Sequence, residues 1–181
     1  LKGLFIKYKA VIKFIFTFLV VYIGLSLLYS WYLDVSDGSK YYPDFITNLV
    51  SIQSDWLLEL FGYNVEMLPH PNEPSMKVVV NDKYLARIIE GCNSMSVIIL
   101  FMSFIIAFTG KMKSTITFVA LGIVLIYVAN LLRIVLLSMG LYHYPEYKHV
   151  LHTVVFPAII YGMVFLLWFV WVNKFSKRSK G

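Results

Sequence analysis

The chain holds one cysteine, Cys92, and near it in a predicted membrane topology stand an arginine, Arg133, and a histidine, His152, each at the end of a long apolar run. A thiol can attack a carbonyl, a guanidinium can stabilise the oxyanion that forms, and an imidazole can move protons near neutral pH. Arg133 interrupts the apolar stretch Ile123 to Leu137. An arginine inside a span costs roughly 3 kcal/mol at mid-helix unless it finds a partner or snorkels to the interface. It is therefore expected to face its neighbouring helices, paired with the thiolate or with a substrate carbonyl. Asn130, one turn earlier, shares that face.

An unpaired cysteine in an apolar chain is often only a small hydrophobe, but its place here favours reactivity. Cys92 lies where the chain enters an apolar run, so the N–H groups and dipole of the helix that starts there would favour a thiolate. Asn93, Ser94 and Ser96 supply side chains of the type that cap helices. A single cysteine also excludes a structural disulfide within the chain. His149 and His152 are one helical turn apart, a spacing that also suits a metal pair. A zinc site needs three or four protein ligands, and this layer has one thiol, so no metal and no cofactor is expected. His152 starts its apolar run directly and ranks above His149 as the general base. His70 and His143 are expected in outer loops.

The elements that position these residues follow from composition. With 59% hydrophobic, 17% aromatic and 14% charged residues, the chain is far more apolar than an average soluble domain. Four runs approach the roughly 20 apolar residues that cross a bilayer: Phe14 to Leu33, Asn93 to Gly110, Ser114 to Leu137, and Leu151 to Val172. The first is too long for a cleaved signal peptide and has no small-residue cleavage pattern after it, so it is expected to remain as an anchor. Lys2, Lys7, Lys9 and Lys13 precede it, Lys111 and Lys113 join the second and third runs, and Lys174, Lys177, Arg178 and Lys180 follow the fourth. Every acid lies between Asp34 and Glu90 or at Glu146. The bias of basic residues toward the cytoplasm then puts both termini inside and the intervening segments outside. These lysines and arginines act as topology signals and call for no nucleic-acid partner. Cys92, Arg133 and His152 lie 19, 20 and 22 residues from Lys111, Lys113 and Lys174. At about 1.5 Å per residue, that places all three in one layer at the outer interface.

The outer segment, 34–90, alone has soluble character. Asp44 to Phe61 carries Phe45, Leu49, Ile52, Trp56 and Leu60 at helical spacing, which predicts an amphipathic helix lying on the membrane surface or on the bundle and ended by Gly62. Pro69, Pro71 and Pro74 break regular structure. Met76 to Val80 and Tyr84 to Ile88 then flank Asn81-Asp82, a turn-prone pair, and predict a short β-hairpin that leads into Cys92. The sequence thus predicts an all-α multi-pass membrane protein, residues 1–181 forming one membrane domain with about four transmembrane helices, an outer amphipathic helix and a short β-hairpin. Gly122 and Gly162, near mid-span, are expected to let helices approach closely.

Glu90-Gly91-Cys92-Asn93-Ser94, then Ala129-Asn130-Leu131-Leu132-Arg133, then Leu151-His152 ahead of an aromatic span resemble the exosortase/archaeosortase family, and more narrowly its compact F-type members. The resemblance runs from about Gly62 to Val172. It implies a multi-pass cysteine transpeptidase that cleaves C-terminal sorting signals of membrane-tethered proteins at the outer face of the bacterial cytoplasmic membrane. It further implies Cys92 as nucleophile, Arg133 as transition-state stabiliser and His152 as acid/base, with Asn130, Asn93, Ser94 and His149 in support. The family commonly has glycine two residues after the cysteine, where this chain has Ser94. The set of spans is short for the family, which leaves room for a small membrane partner protein. A transporter should carry ionisable residues near mid-bilayer, and the last three runs have none there. A non-enzymatic scaffold is the remaining alternative, and no serine-protease motif is present.

Overall fold

In hydrocarbon a single apolar run satisfies its own backbone as a helix, and the long runs of this chain are helical. A computed structural model describes residues 8–36, 40–108 and 110–176. Lys2, Lys7, Asp37, Lys177, Arg178 and Lys180 lie outside the described residues. The elements in order are α1 (Lys9–Ser36), α2 (Phe45–Leu60), β1 (Val65–Pro69), β2 (Ser75–Val80), β3 (Lys83–Ile89), α3 (Met95–Ala107), α4 (Met112–His143) and α5 (Phe156–Val170). The last apolar stretch is helical from Pro145 to Lys174, but α5 is preceded by a π-helical segment, Leu151–Val155, and followed by another, Trp171–Ser176. Three helical stretches are long and apolar enough to cross a membrane: α1, α4 and the Pro145–Lys174 stretch. The chain is a multi-pass membrane protein that is mainly helical.

The second span is shorter as a helix than the expected 93–110. α3 has 13 residues, about 20 Å at 1.5 Å per residue, against a hydrocarbon core of about 30 Å. Its ends are set by two local events, a left-handed residue at Ser94 and an extended one at Phe108. α3 is sheathed by α1, where Phe14 packs edge-on to Phe104 and against Phe108. On its other side Ile98, Phe101 and Ile105 form a core with Ile126 of α4, Val164 of α5 and Trp171. Lipid offers no hydrophobic drive between helices, so such contacts hold by close packing. Gly122 is the point of closest approach, because a methyl there would overlap the Phe101 ring. Gly162 meets nothing within 4 Å, which corrects its assignment as a packing residue. Gly122→Ala is therefore expected to destabilise the bundle by about 1–3 kcal/mol through overpacking, whereas Gly162→Ala should be neutral. Thermal unfolding of the two variants in detergent checks the contrast.

At the other end of the bundle a head of soluble character forms its own core. Val65, Met76, Val78, Val80 and Ile88 of the sheet pack on Val50 and Leu58 of α2 and on Ile134 and Val135 of α4. Each such side chain contributes about 1.5–3 kcal/mol by leaving water. The sheet is antiparallel, in the order β1-β2-β3. The predicted hairpin is present as β2 and β3, with Asn81 and Asp82 at φ 46° and 63°, as a two-residue turn of this twist requires. β1 was not expected, and it adds a third strand that ends at Pro69.

Asp44 caps α2 by accepting from the N–H groups of Ile46 and Thr47 at 2.9 and 3.0 Å, and Gly62, at φ 86°, closes it. The face of α2 that meets the protein is made by Thr47, Val50, Ser51, Ser54 and Leu58. Phe45, Ile52, Trp56 and Leu60 are exposed. The apolar stripe foreseen in the sequence thus points outward, the arrangement of a helix at a lipid interface.

Candidate active site

Cys92 ends a 3-10 turn, Glu90–Cys92, that continues directly from β3. It does not cap α3. The chain first makes a left-handed turn at Ser94, φ 66°, and the first free N–H of the helix, on Met95, is taken by Asn93 Oδ1 at 3.0 Å. Asn93 thus takes the first of the α3 N–H groups that were expected to face the thiol. Asn93 is buried and ties three elements together. Its Nδ2 donates to Tyr29 Oη of α1 at 2.8 Å and to Thr47 Oγ1 of α2 at 3.1 Å.

Ser94 does not cap either, since its hydroxyl donates to the Asn93 carbonyl at 2.6 Å. Its positive φ supplies a physical reason why glycine suits this position. Left-handed backbone costs a non-glycine residue about 1–2 kcal/mol, partly offset here by the hydroxyl bond and by the greater unfolded-state freedom of glycine. Ser94→Gly is expected to raise stability by about 0.5 kcal/mol, while Ser94→Ala, which keeps the strain and loses the bond, should lower it. The order of the three melting midpoints tests this account.

Asn130, buried on α4, holds the cysteine from the other side. Its Nδ2 donates to the Cys92 carbonyl at 2.7 Å, and its Oδ1 lies 3.5 Å from an Arg133 Nη, a long contact. The asparagine therefore fixes the backbone of the thiol and orients the guanidinium. Arg133 is half-buried, and its Nε has no hydrogen-bond partner among the described residues. Burying such a donor unpaired costs about 1–3 kcal/mol, so the guanidinium retains capacity to bind an acceptor.

Cys92, Arg133 and His152 line one cavity of about 390 Å³ between β3, α4 and the start of the last helical stretch. The structure brings these three residues together. His152 sits on the π-helical segment Leu151–Val155, where the widened turn shifts the helical phase, a feature frequent at functional sites. His149, one turn earlier, is exposed and does not line the cavity. His143 is no loop residue: it ends α4, and its Nε2 is 2.8 Å from Tyr63 Oη, fastening the helix end to the link between α2 and β1.

Lys148, Arg87 and Ser138 also line the cavity and were not foreseen. Lys148 is four residues before His152 in a helical stretch, a spacing that could have flagged it. Arg87 is ion-paired with Glu73. A thiol, a guanidinium with an unpartnered donor and an exposed imidazole around one cavity form a set able to perform acyl transfer.

The family model described as transmembrane exosortase (Exosortase_EpsH) matches residues 4–172. No curated protein and no solved structure matches the chain. The matched region runs from the N-terminal helix through the last membrane stretch and takes in every residue of the cavity, and on that extent the chain belongs to the transmembrane exosortase family.

Proposed function

We propose that this protein is a cysteine transpeptidase that cleaves C-terminal sorting signals of exported, membrane-tethered proteins at the outer face of the bacterial cytoplasmic membrane. The observation that carries the reading is the single cavity shared by Cys92, Arg133 and His152. The Cys92 thiolate attacks the scissile carbonyl and forms a C–S bond. Arg133 donates to the oxyanion through its unpartnered guanidinium edge. As the C–N bond breaks, His152 gives a proton to the leaving amine, which departs with the membrane-spanning tail of the substrate. An acceptor amine, hydroxyl or water then loses a proton to His152 and attacks the thioester, freeing Cys92.

Orientation is assigned by charge. Phe14 of α1 packs on Phe108, and Gly110 lies against the Trp171 ring, so Lys13, Lys111 and Lys174 share the end of the bundle remote from the sheet. The positive-inside bias makes that end cytoplasmic, which puts both termini inside and the cavity outside. A small membrane partner protein fits the short set of spans.

Acid-quenched protein from cells that export such substrates is expected to carry a fraction of Cys92 as a thioester to the new C-terminus of a truncated protein. Mass spectrometry should find it, and hydroxylamine should release it. If substrates are processed while Cys92 never carries an acyl group, the thioester route is wrong.

A further inference from the structure

Side chains on a strand alternate between two faces, so a space that lies against one face touches every second residue. The cavity at Cys92 instead touches Tyr84, Leu85, Ala86, Arg87 and Ile88 in unbroken succession. Such a run arises when the space wraps the edge of the strand as well as its face, which Val78 of β2 also lines. β3 is an edge strand of the sheet. Among the described residues it makes no backbone hydrogen bond outside that sheet. Its outward N–H and C=O groups are therefore available along the cavity, and an open edge of this kind is a template for another strand.

The usable part of the edge can be located. Pairing steps from Val79↔Tyr84 to Val78↔Ala86, leaving Leu85 as the extra residue of a bulge, and a bulge interrupts the ladder. Regular pairing is left to Ala86–Ile89, the end that runs through the Glu90–Cys92 turn to the thiol. Leu137, Ser138 and Leu141 of α4 line the same space, with Leu85 and Ala86 packed on Leu137 and Leu141. Alternating donors and acceptors at strand spacing are matched only by another polypeptide backbone.

We propose that the Ala86–Ile89 edge of β3 binds the substrate as a fourth, extended strand and so delivers its peptide bond to Cys92. The proposal rests on Cys92 being the nucleophile and adds how the substrate is held. Recognition then comes first from main-chain hydrogen bonds, with side-chain choice confined to the residues that face α4. Among the described residues the charged side chains that line the cavity are Arg87, Arg133 and Lys148, with no acid, so the added strand meets a lining without carboxylates.

The test uses the full chain in detergent and an acetylated five-residue peptide of alternating valine and glutamate that ends in a chloromethyl ketone, which alkylates a thiol with loss of chloride. Analogues each carry one N-methyl group on a backbone nitrogen, which removes one donor. Alkylation of Cys92 should slow about 5–10-fold at every second position, the size of a lost hydrogen bond, and stay within about twofold at the positions between. A flat profile, or equal slowing at all positions, overturns the added strand. Iodoacetamide, which needs no strand, reports on the thiol itself. If it labels Cys92 readily while the N-methyl profile is flat, the edge proposal fails and the nucleophile stands; if both reagents leave Cys92 untouched, both fail.

Discussion

Cys92→Ser is expected to leave the protein accumulating normally and to reduce substrate processing at least about 1000-fold, the scale of losing a nucleophile. That corresponds to about 4 kcal/mol of transition-state stabilisation. The separation of the two effects comes from the geometry. Cys92 is only partly buried and sits at the margin of the core formed by the sheet, α2 and α4. Its backbone is held by Asn130 through the carbonyl and not through sulfur. Oxygen for sulfur therefore removes little packing, while a hydroxyl is a far weaker nucleophile without a thiolate-like state. The measurement pairs immunoblot levels with release of the truncated substrate. Processing at the wild-type rate by a variant that accumulates normally would return the chain to the class of scaffolds.

Arg133→Lys should lower turnover about 100-fold or more, as removal of one oxyanion donor does elsewhere, with the protein again accumulating. Lysine keeps the charge but loses the planar fork and the Nε donor, the group that has no partner among the described residues. No carboxylate pairs with Arg133 among the described residues, so the substitution strands no buried acid. If both groups act on one transition state, their effects do not add. The double variant Cys92→Ser with Arg133→Lys should then be no slower than Cys92→Ser alone. An Arg133→Lys protein that works at full rate would reduce the guanidinium to a structural ligand of Asn130.

The parts of the fold legible in the sequence were those set by local chemistry. Asn81-Asp82 announced a turn because both residues tolerate positive φ. Asp44 and Gly62 marked the ends of α2 for capping reasons. The cavity residues stood out because thiol, guanidinium and imidazole are costly in an apolar chain. What escaped depends on distant partners. β1 pairs with β2 only after folding, and the prolines around it suggested irregularity. The Leu85 bulge and the π-helical turn under His152 have no residue signature of their own. The stripe on α2 was visible, but its direction was not, because lipid and protein core both accept apolar side chains. Asn93 and Ser94 were placed correctly at the mouth of α3, yet only geometry separates the residue that caps from the residue that turns.

The outward stripe of α2 has a bearing on how a cleavage point is chosen. Phe45, Ile52, Trp56 and Leu60 are exposed, as on a helix that lies at the headgroup level, about 5–10 Å into the boundary. Its opposite face contacts Asn93, the neighbour of Cys92, through Thr47. A helix so placed would hold the lipid surface and the thiol at a constant height relative to each other, and in the proposed reaction the enzyme becomes a ruler whose zero mark is the bilayer. A substrate would be cut at a set distance from where its chain emerges. Each residue inserted between its membrane span and the cut carries the original bond about 3.3 Å further along an extended chain and brings a different bond to the mark.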